Sequence, residues 1–497
     1  AGASGTAAAA PATPRIEKPA NAAVAILGMS CRLPASTHAP ARLMAVVSRC
    51  VDAASEVPAS RWQGGAAAEG LESVSDRTRH GAFVCGAESF DSARFGISAA
   101  EAGTMDPQQR LVLECSYAAL GEGGLQRGRL MGSGVGVGVG IYAVEYGQLL
   151  AVSELRHSVY ASTGASLSIA SGRLSFVLGL VGPCVSFETA CSAALVALDA
   201  GVHALRLASC EAYSAAGVNL MLLPASSVGF AVAGMTSVRG RCHTFDRRAD
   251  GFARADGCGA VCAERAGMNS AMAVAVGSAV RQDGRSASLT APNGQAQGAL
   301  LAATLGDAET TAAAQNACEA HGTGTALGDP IEVGAVGFVL LASRCGGNCE
   351  PPLGMSSIKA SHGHGESTAG MSGLLVLCGS LRPKAAAPNA QLRVLNPRLG
   401  TAVRGGGCAL STQTCAGLAP SVGCAAGGVS SFGYSGTIAH ALLRGAPVTI
   451  STVDLANARS SASRRRFFPW QQLTPSHRTV ARRQVSTAYA FVACWNR

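Results

Sequence analysis

Apolar residues in this chain fall into short runs whose period changes at glycine and proline. Between 133 and 142, Val135, Val137, Val139 and Ile141 alternate with glycine, the period-two pattern of a strand. Those glycines lack the G-x-G-x-x-G spacing of a dinucleotide-binding loop. Val185-Ser186-Phe187 follows the breaker Gly182-Pro183 and reads as a buried strand. Leu195, Leu198, Val202 and Leu205 then recur at helical spacing, with alanine filling most of the gaps. Ala271–Ser278 is a further candidate strand, and helix-like stretches separate such segments. This alternation predicts a layered α/β protein in which helices cover the sheet. No internal sequence repeat is visible.

Composition narrows the class. The 497 residues are 48% apolar, ample for a large core, and 14% charged, well below the typical ~25%. From Ala212 to Val238 no residue is charged, which raises a membrane span. Asn219, Pro224 and the serines around them argue instead for a buried strand and loop. The net charge of +9 is concentrated in residues 446–497, where eight arginines face one acidic residue, Asp454. The other 445 residues carry only +2. A nucleic-acid binder is expected to show a basic face on its folded body, so that class is disfavoured.

Eighteen cysteines are scattered, and the nearest pairs, Cys258/Cys262 and Cys345/Cys349, have three residues between them. No C-x-x-C pair has a matching partner, which argues against a metal site and for a reduced, intracellular protein. Residues 1–22 are rich in Ala, Pro and Thr and read as a linker without the apolar run of a signal peptide. The sequence opens on Ala rather than Met and reads as a segment of something longer. A cytoplasmic address is expected, with a plastid one left open.

Three segments carry candidate chemistry. In Glu188-Thr189-Ala190-Cys191-Ser192-Ala193-Ala194-Leu195, Cys191 stands where the strand turns into the helix. Free N–H groups and the helix dipole favour an anion there, which would make this thiol more nucleophilic than an ordinary one of pKa about 8.5. The alternative is a small buried residue. Glu319-Ala320-His321-Gly322-Thr323-Gly324-Thr325 places a histidine in a glycine-rich turn. Lys359-Ala360-Ser361-His362-Gly363-His364-Gly365-Glu366 places more just before an apolar helix containing Leu374, Leu375 and Leu377. Asp329-Pro330-Ile331-Glu332 has the spacing of a capping box at a helix start.

Together these segments resemble the signature of β-ketoacyl synthases, the condensing domains of polyketide and fatty-acid synthases. The resemblance runs from about Val24 to Leu443. It includes Val24-Ala25-Ile26-Leu27-Gly28-Met29-Ser30-Cys31-Arg32-Leu33-Pro34, Met105-Asp106-Pro107-Gln108-Gln109-Arg110, Asp250-Gly251-Phe252 and Ser430-Ser431-Phe432-Gly433-Tyr434-Ser435-Gly436-Thr437, in the family's order. It implies a thiolase-like α/β fold of two similar halves in five αβαβα layers, residues 23–270 and 271–445, followed by a basic tail at 446–497. It implies Cys191 as nucleophile, His321 and His364 as N–H donors to an enolate, and Lys359 as support for the histidine network. It also implies an oxyanion hole from the N–H groups of Cys191 and Tyr434, the latter in a loop begun by Gly433, with Tyr434 gating the acyl pocket. Asp329, Glu332 and Glu366 fall into a supporting polar network. The implied substrates are acyl and malonyl-type thioesters on the phosphopantetheine of an acyl carrier protein, with no cofactor bound by the domain itself, and the expected assembly is a homodimer.

Four positions depart from the family pattern. Glu188 replaces the usual aspartate, and Ser361-His362 replaces the usual Asn-Ile, so two histidines compete for one role. Gly363 and Glu366 align around His364, which selects it. Ile438 replaces the usual asparagine after Gly-Thr, which removes a hydrogen-bonding side chain from the loop that carries Tyr434. Arg464-Arg465-Arg466-Phe467-Phe468-Pro469-Trp470 resembles the linker after such domains in polyketide synthases, with aromatics suited to anchoring on the body. A type I polyketide ketosynthase leads the readings. A fatty-acid condensing domain, a silent dimer scaffold and a Cys/His hydrolase are the alternatives.

Overall fold

The computed structural model describes residues 23–62, 74–142, 144–265, 271–342, 344, 351–403, 407–416, 424–446 and 464–470. The expected linker at 1–22 and the tail beyond 470 lie outside the described residues.

Eleven strands form one mixed sheet: β1 (Val24–Arg32), β2 (Gly136–Ile141), β3 (Cys184–Phe187), β4 (Ala212–Asn219), β5 (Gly257–Arg265), β6 (Ala273–Gln282), β7 (Ala317–Glu319), β8 (Leu353–Ser356), β9 (Cys408–Ala409), β10 (Ala426–Phe432) and β11 (Thr437–Gly445). Their order is β9-β8-β7-β10-β11-β6-β1-β5-β4-β2-β3. Within it the same topology occurs twice. In the first half the second strand runs parallel to the third and fourth, while the fifth lies antiparallel between the fourth and the first. β6, β7, β8, β10 and β11 repeat this plan, pair for pair. The halves join where β1 meets β6, with Val24, Ala25 and Ile26 opposite Ala275, Val274 and Ala273. Sequence self-similarity is absent because the duplication survives in strand order and not in side chains.

The principal helices are α1 (Pro107–Glu122), α2 (Leu167–Leu178), α3 (Ala193–Arg206), α4 (Pro224–Val232), α5 (Gly294–Asp307), α6 (Gly328–Val336) and α7 (Ala369–Leu381). α1 and α2 cover one face of the first half, α5 and α6 the outer face of the second, and α3 packs with α7 between them. Apolar cores fill the interfaces, with Leu111, Leu113 and Leu120 under α1. Leu195, Leu198, Leu374 and Leu377 lie between the halves, and Leu301, Val333 and Val336 under α5 and α6. Helices outside, two sheet halves and a central helix pair make the five layers. The uncharged run from Ala212 to Val238 is the buried strand β4, a connection and α4. Among the described residues no helix is long and apolar enough to cross a membrane.

The glycine alternation in β2 now has a physical reason. Val137 and Val139 fill the core beneath α1, while Gly140 faces α3. A Cβ on Gly140 would lie 2.5 Å from the Ala194 nitrogen, so only glycine lets the first turn of α3 rest on the strand. Leu195, Leu198, Val202 and Leu205 anchor the same helix from within the central core. Each contributes about 1.5–3 kcal/mol by burial.

Candidate active site

Cys191 lies in the 3-10 turn Ala190–Ser192 that leads into α3. Ala190 just before it has φ of 52°, a left-handed conformation that costs a non-glycine residue roughly 1–2 kcal/mol. Neighbouring bonds hold it there. The Ser192 hydroxyl donates to the Thr189 carbonyl at 2.8 Å, and the Ser431 hydroxyl to the Cys191 carbonyl at 2.6 Å. The second contact ties the nucleophile turn to the end of β10, which continues into Gly433 and Tyr434. The loop is tight: Gly433 N–H donates to the Thr437 carbonyl at 2.8 Å and Gly436 N–H to that of Gly433 at 2.8 Å. These backbone bonds close the turn without the side chain that Ile438 lacks. Ile438 is fully buried against Leu300 and Phe432, so an apolar contact replaces the polar one.

His364 Nε2 is 3.0 Å from Cys191 Sγ. Its main chain is fixed by two bonds, from His364 N–H to the Ala253 carbonyl at 2.7 Å and from Ala255 N–H to the His364 carbonyl at 2.9 Å. The His321 ring meets the His364 ring edge-on at 5.4 Å between centroids. Phe432 N–H donates to His321 Nδ1 at 3.2 Å, which leaves the proton of neutral His321 on Nε2. His362, the competing histidine, is buried away from the thiol beside Leu33, Pro34 and Ile358, and burial pushes its pKa down to about 4.

Electrostatics correct one expectation. Burial, then the Glu366 carboxylate, push the Cys191 thiol up to about 12, against a lowering pull from Lys359 and the N–H groups of Tyr434 and Cys191 itself. The turn geometry is as expected, but its dipoles are outweighed by desolvation. Burial and the nearby Lys359 charge also hold His321 and His364 well below the ordinary imidazole value, so both are neutral. Lys359 is buried, which lowers its own pKa, while Glu319 and Glu332 oppose that shift.

Asp329 and Glu332 form no capping box. Helix α6 has no side-chain cap, and Asp329 lies inside its first turn. Asp329 accepts from Gly324 N–H at 3.0 Å and Phe245 N–H at 2.8 Å. Glu332 accepts from His321 N–H at 2.6 Å and Gly322 N–H at 2.8 Å. The two acids clamp the glycine-rich turn that presents His321, and that turn's free N–H groups outbid the helix end.

A cavity of about 410 Å³ opens on the thiol, lined by Tyr142, Phe230, Met235, Phe252, Phe432 and Tyr434 among others. Sequence reasoning missed the buried Arg254, whose guanidinium reaches both Glu366 and Glu145. It lies two residues beyond Asp250-Gly251-Phe252, but no spacing marks its partners. The strap 464–470 returns to the body as its aromatics suggested: Phe468 N–H donates to the Glu88 carbonyl at 2.9 Å, and Trp470 is buried under Arg61.

A thiol, two neutral imidazoles and backbone N–H groups thus meet at one largely apolar cavity. Residues 21–269 match the model of the β-ketoacyl synthase N-terminal domain, and residues 272–393 that of its C-terminal domain. The chain belongs to the β-ketoacyl synthase family, the condensing transferases, and its homologues are type I polyketide synthase modules. It is 39% identical over 468 residues to a type I polyketide synthase of phenolphthiocerol synthesis from Mycobacterium bovis, covering 91% of this chain and 22% of that protein. It is 40% identical over 442 residues to pikromycin polyketide synthase component PikAII of Streptomyces venezuelae, covering 86% and 12%. The chain thus spans less than a quarter of the length of these relatives. Among solved structures, the ketosynthase from module 6 of the bacillaene synthase of Bacillus subtilis 168 aligns with a TM-score of 0.76 at 29% identity. That match covers 85% of this chain and 72% of the other, and it shares the thiolase-like fold.

Proposed function

We propose that Cys191, His321, His364 and Lys359 carry a decarboxylative condensation on carrier-bound thioesters. The observation that supports this most is the 3.0 Å contact of His364 Nε2 with Cys191 Sγ, with His321 edge-on beside it. In the first half-reaction the thiol attacks an acyl thioester and its proton passes through His364 to the departing carrier thiol. The Cys191 and Tyr434 N–H groups stabilise the oxyanion. In the second, His364 has moved to its Nε2–H tautomer, and the malonyl-type thioester loses carbon dioxide as the Nε2–H groups of His321 and His364 hold the enolate oxygen. The enolate carbon then attacks the acyl carbonyl, and the Cys191 sulfur leaves and takes up a proton from solvent. Burial, reinforced by the Lys359 charge, keeps both imidazoles neutral, and Asp329 and Glu332 fix the turn bearing His321.

The acyl and malonyl groups arrive on the phosphopantetheine arm of an acyl carrier protein, and the domain itself holds no cofactor in this reading. A homodimer is the proposed assembly. β3 ends the sheet, and Val185, Phe176, Val181 and Met131 around it are exposed, so strand pairing with a second copy would cover them. An intracellular location, cytoplasmic or plastid, completes the reading. To test it, the protein is incubated with an acyl thioester and then with malonyl carrier, and Cys191 and the product are followed by mass. Acylation of Cys191 and a lengthened β-keto product are expected. Cys191→Ala should abolish product yet keep malonyl decarboxylation, whereas normal condensation by that variant would overturn the assignment.

A further inference from the structure

We infer that Arg254 is a positioning residue that couples the His364 turn to the aromatic gate at Tyr434. The inference rests on the condensation reading above. The Arg254 backbone bridges that of His364, and the side chain is buried against Glu366 and Phe230, both of which line the cavity. Its Nε lies 2.5 Å from Glu366 Oε1 and its Nη2 3.2 Å from Glu366 Oε2, a two-pronged grip. Nη2 also lies 3.4 Å from Glu145 Oε1, and Nη1 donates to Ser227 Oγ at 2.7 Å. Glu366 has φ of 47°, left-handed for a residue with a side chain, two positions after His364. The grip of Arg254 therefore holds the strained turn that fixes where His364 leaves the chain.

The other face of the same guanidinium bears on the gate. It lies over the Phe230 ring at 5.3 Å. Phe230 meets Tyr434 edge-on at 6.1 Å and Phe252 at 6.0 Å, and Phe252 meets His364 at 5.0 Å. One cation thus fastens an unbroken chain of four rings running from the imidazole beside the thiol to the residue whose N–H serves the oxyanion. Ser227 and Phe230 both lie on α4, and Glu145 accepts from Leu222 N–H at 2.6 Å and Leu223 N–H at 2.7 Å just before it. Arg254 and Glu145 together clamp α4 against the His364 turn. Lysine could keep the charge, but it has neither the fork nor the planar face.

The test compares Arg254→Lys, Phe230→Leu and the double variant in condensation kinetics, with thermal unfolding as a check on folding. Arg254→Lys is expected to fold and to lower kcat roughly tenfold or more, with KM for the malonyl thioester within about threefold, because the loss is of alignment and not of substrate contacts. The double variant should fall no further than the worse single one, since both break the same chain of rings. An unchanged kcat in folded Arg254→Lys, a loss confined to KM, or fully multiplicative effects would each overturn the inference. If Arg254→Lys does not fold, Ser227→Ala removes only the Nη1 contact and should lower kcat about threefold at constant KM, and no change there is equally decisive. Wild-type protein is the control: should it fail to condense, the functional reading fails, whereas active wild type with an equally active Arg254→Lys defeats only this inference.

Discussion

Gly433→Ala tests how the proposed oxyanion hole is built. A Cβ at this position would lie 2.6 Å from the Thr189 carbonyl oxygen, 2.9 Å from that of Thr437 and 3.3 Å from Ser192 Oγ. The two closest obstacles are backbone atoms in the nucleophile turn and in β11, so neither can rotate aside. Carbon contacts relax only near ~3.5 Å, and the loop must therefore retreat by roughly 0.5–1 Å. The next residue is Tyr434, whose N–H faces the Cys191 sulfur. Loss of one preorganised donor costs about 10²–10³ in rate, or about 2.7–4 kcal/mol of transition-state stabilisation.

Acyl transfer should bear most of that loss. Phe432, whose N–H pins His321, precedes the displaced peptide and is held in β10 by pairing with Ile438. Rapid quenching after mixing with an acyl thioester, read as acyl mass on Cys191, is expected to show loading slowed at least a hundredfold. Malonyl decarboxylation, followed as carbon dioxide release, should fall far less. Loading within threefold of wild type in a folded variant would show that the close approach of Gly433 to Thr189 does not set the donor's position.

Further outcomes follow from the same geometry. Because burial pushes the Cys191 thiol up to about 12, its thiolate forms only at high pH, so alkylation by iodoacetamide should still be climbing at pH 10. A plateau near 9 would contradict the burial argument. His321 and His364 are depressed, so they stay neutral as pH falls through 6.5, and the acid limb of condensation should lie below that value. A half-point at or above 6.5 in a pH–kcat series would oppose it. Trp470→Ala empties a buried ring site under Arg61 and should cost about 3–5 kcal/mol of stability, seen as a lower thermal midpoint with kcat retained. An unchanged midpoint would mean that the strap adds nothing to the body.

Local signals in the sequence reached a long way here. The period-two run at 135–141, the helical leucines after Cys191 and the breaker at Gly182-Pro183 each depend on neighbours within a few residues, and they appear as β2, α3 and β3. β3 is not the buried strand its apolar run suggested: it ends the sheet, and Cys184 and Val185 are exposed, because among the described residues no further strand covers it. The motif resemblance likewise singles out residues that converge on one cavity although Cys191 and His364 are 173 positions apart. What stayed hidden was set by partners distant in sequence. Asp329 and Glu332 carry the spacing of a cap, yet turn to the N–H groups at 321, 322, 324 and 245. Arg254 gives no pattern at all, because its meaning comes from Glu366, Glu145 and Phe230 on other segments. The thiol's pKa runs against the sequence expectation for the same reason: a helix start is a local feature, while burial is contributed by the whole fold.

That burial explains how the site can work with an uncharged resting thiol. Lys359 is the cation whose potential both imidazoles and the sulfur feel, and it is balanced by Glu319, held up to about 7 by its own burial, and by Glu332. Its charge disfavours a proton on either histidine and favours one leaving Cys191, so it biases the thiol-to-His364 transfer from the sulfur side while opposing it from the imidazole side. A resting ion pair is therefore not the stable state, and in the proposed reaction sulfur gains its charge only as the acyl carbonyl arrives and the oxyanion donors engage. The desolvation that suppresses free thiolate also strengthens each dipole aimed at the reacting oxygen. A more exposed Cys191 would ionise more readily, but its acyl form would meet water and its oxyanion would meet weaker donors.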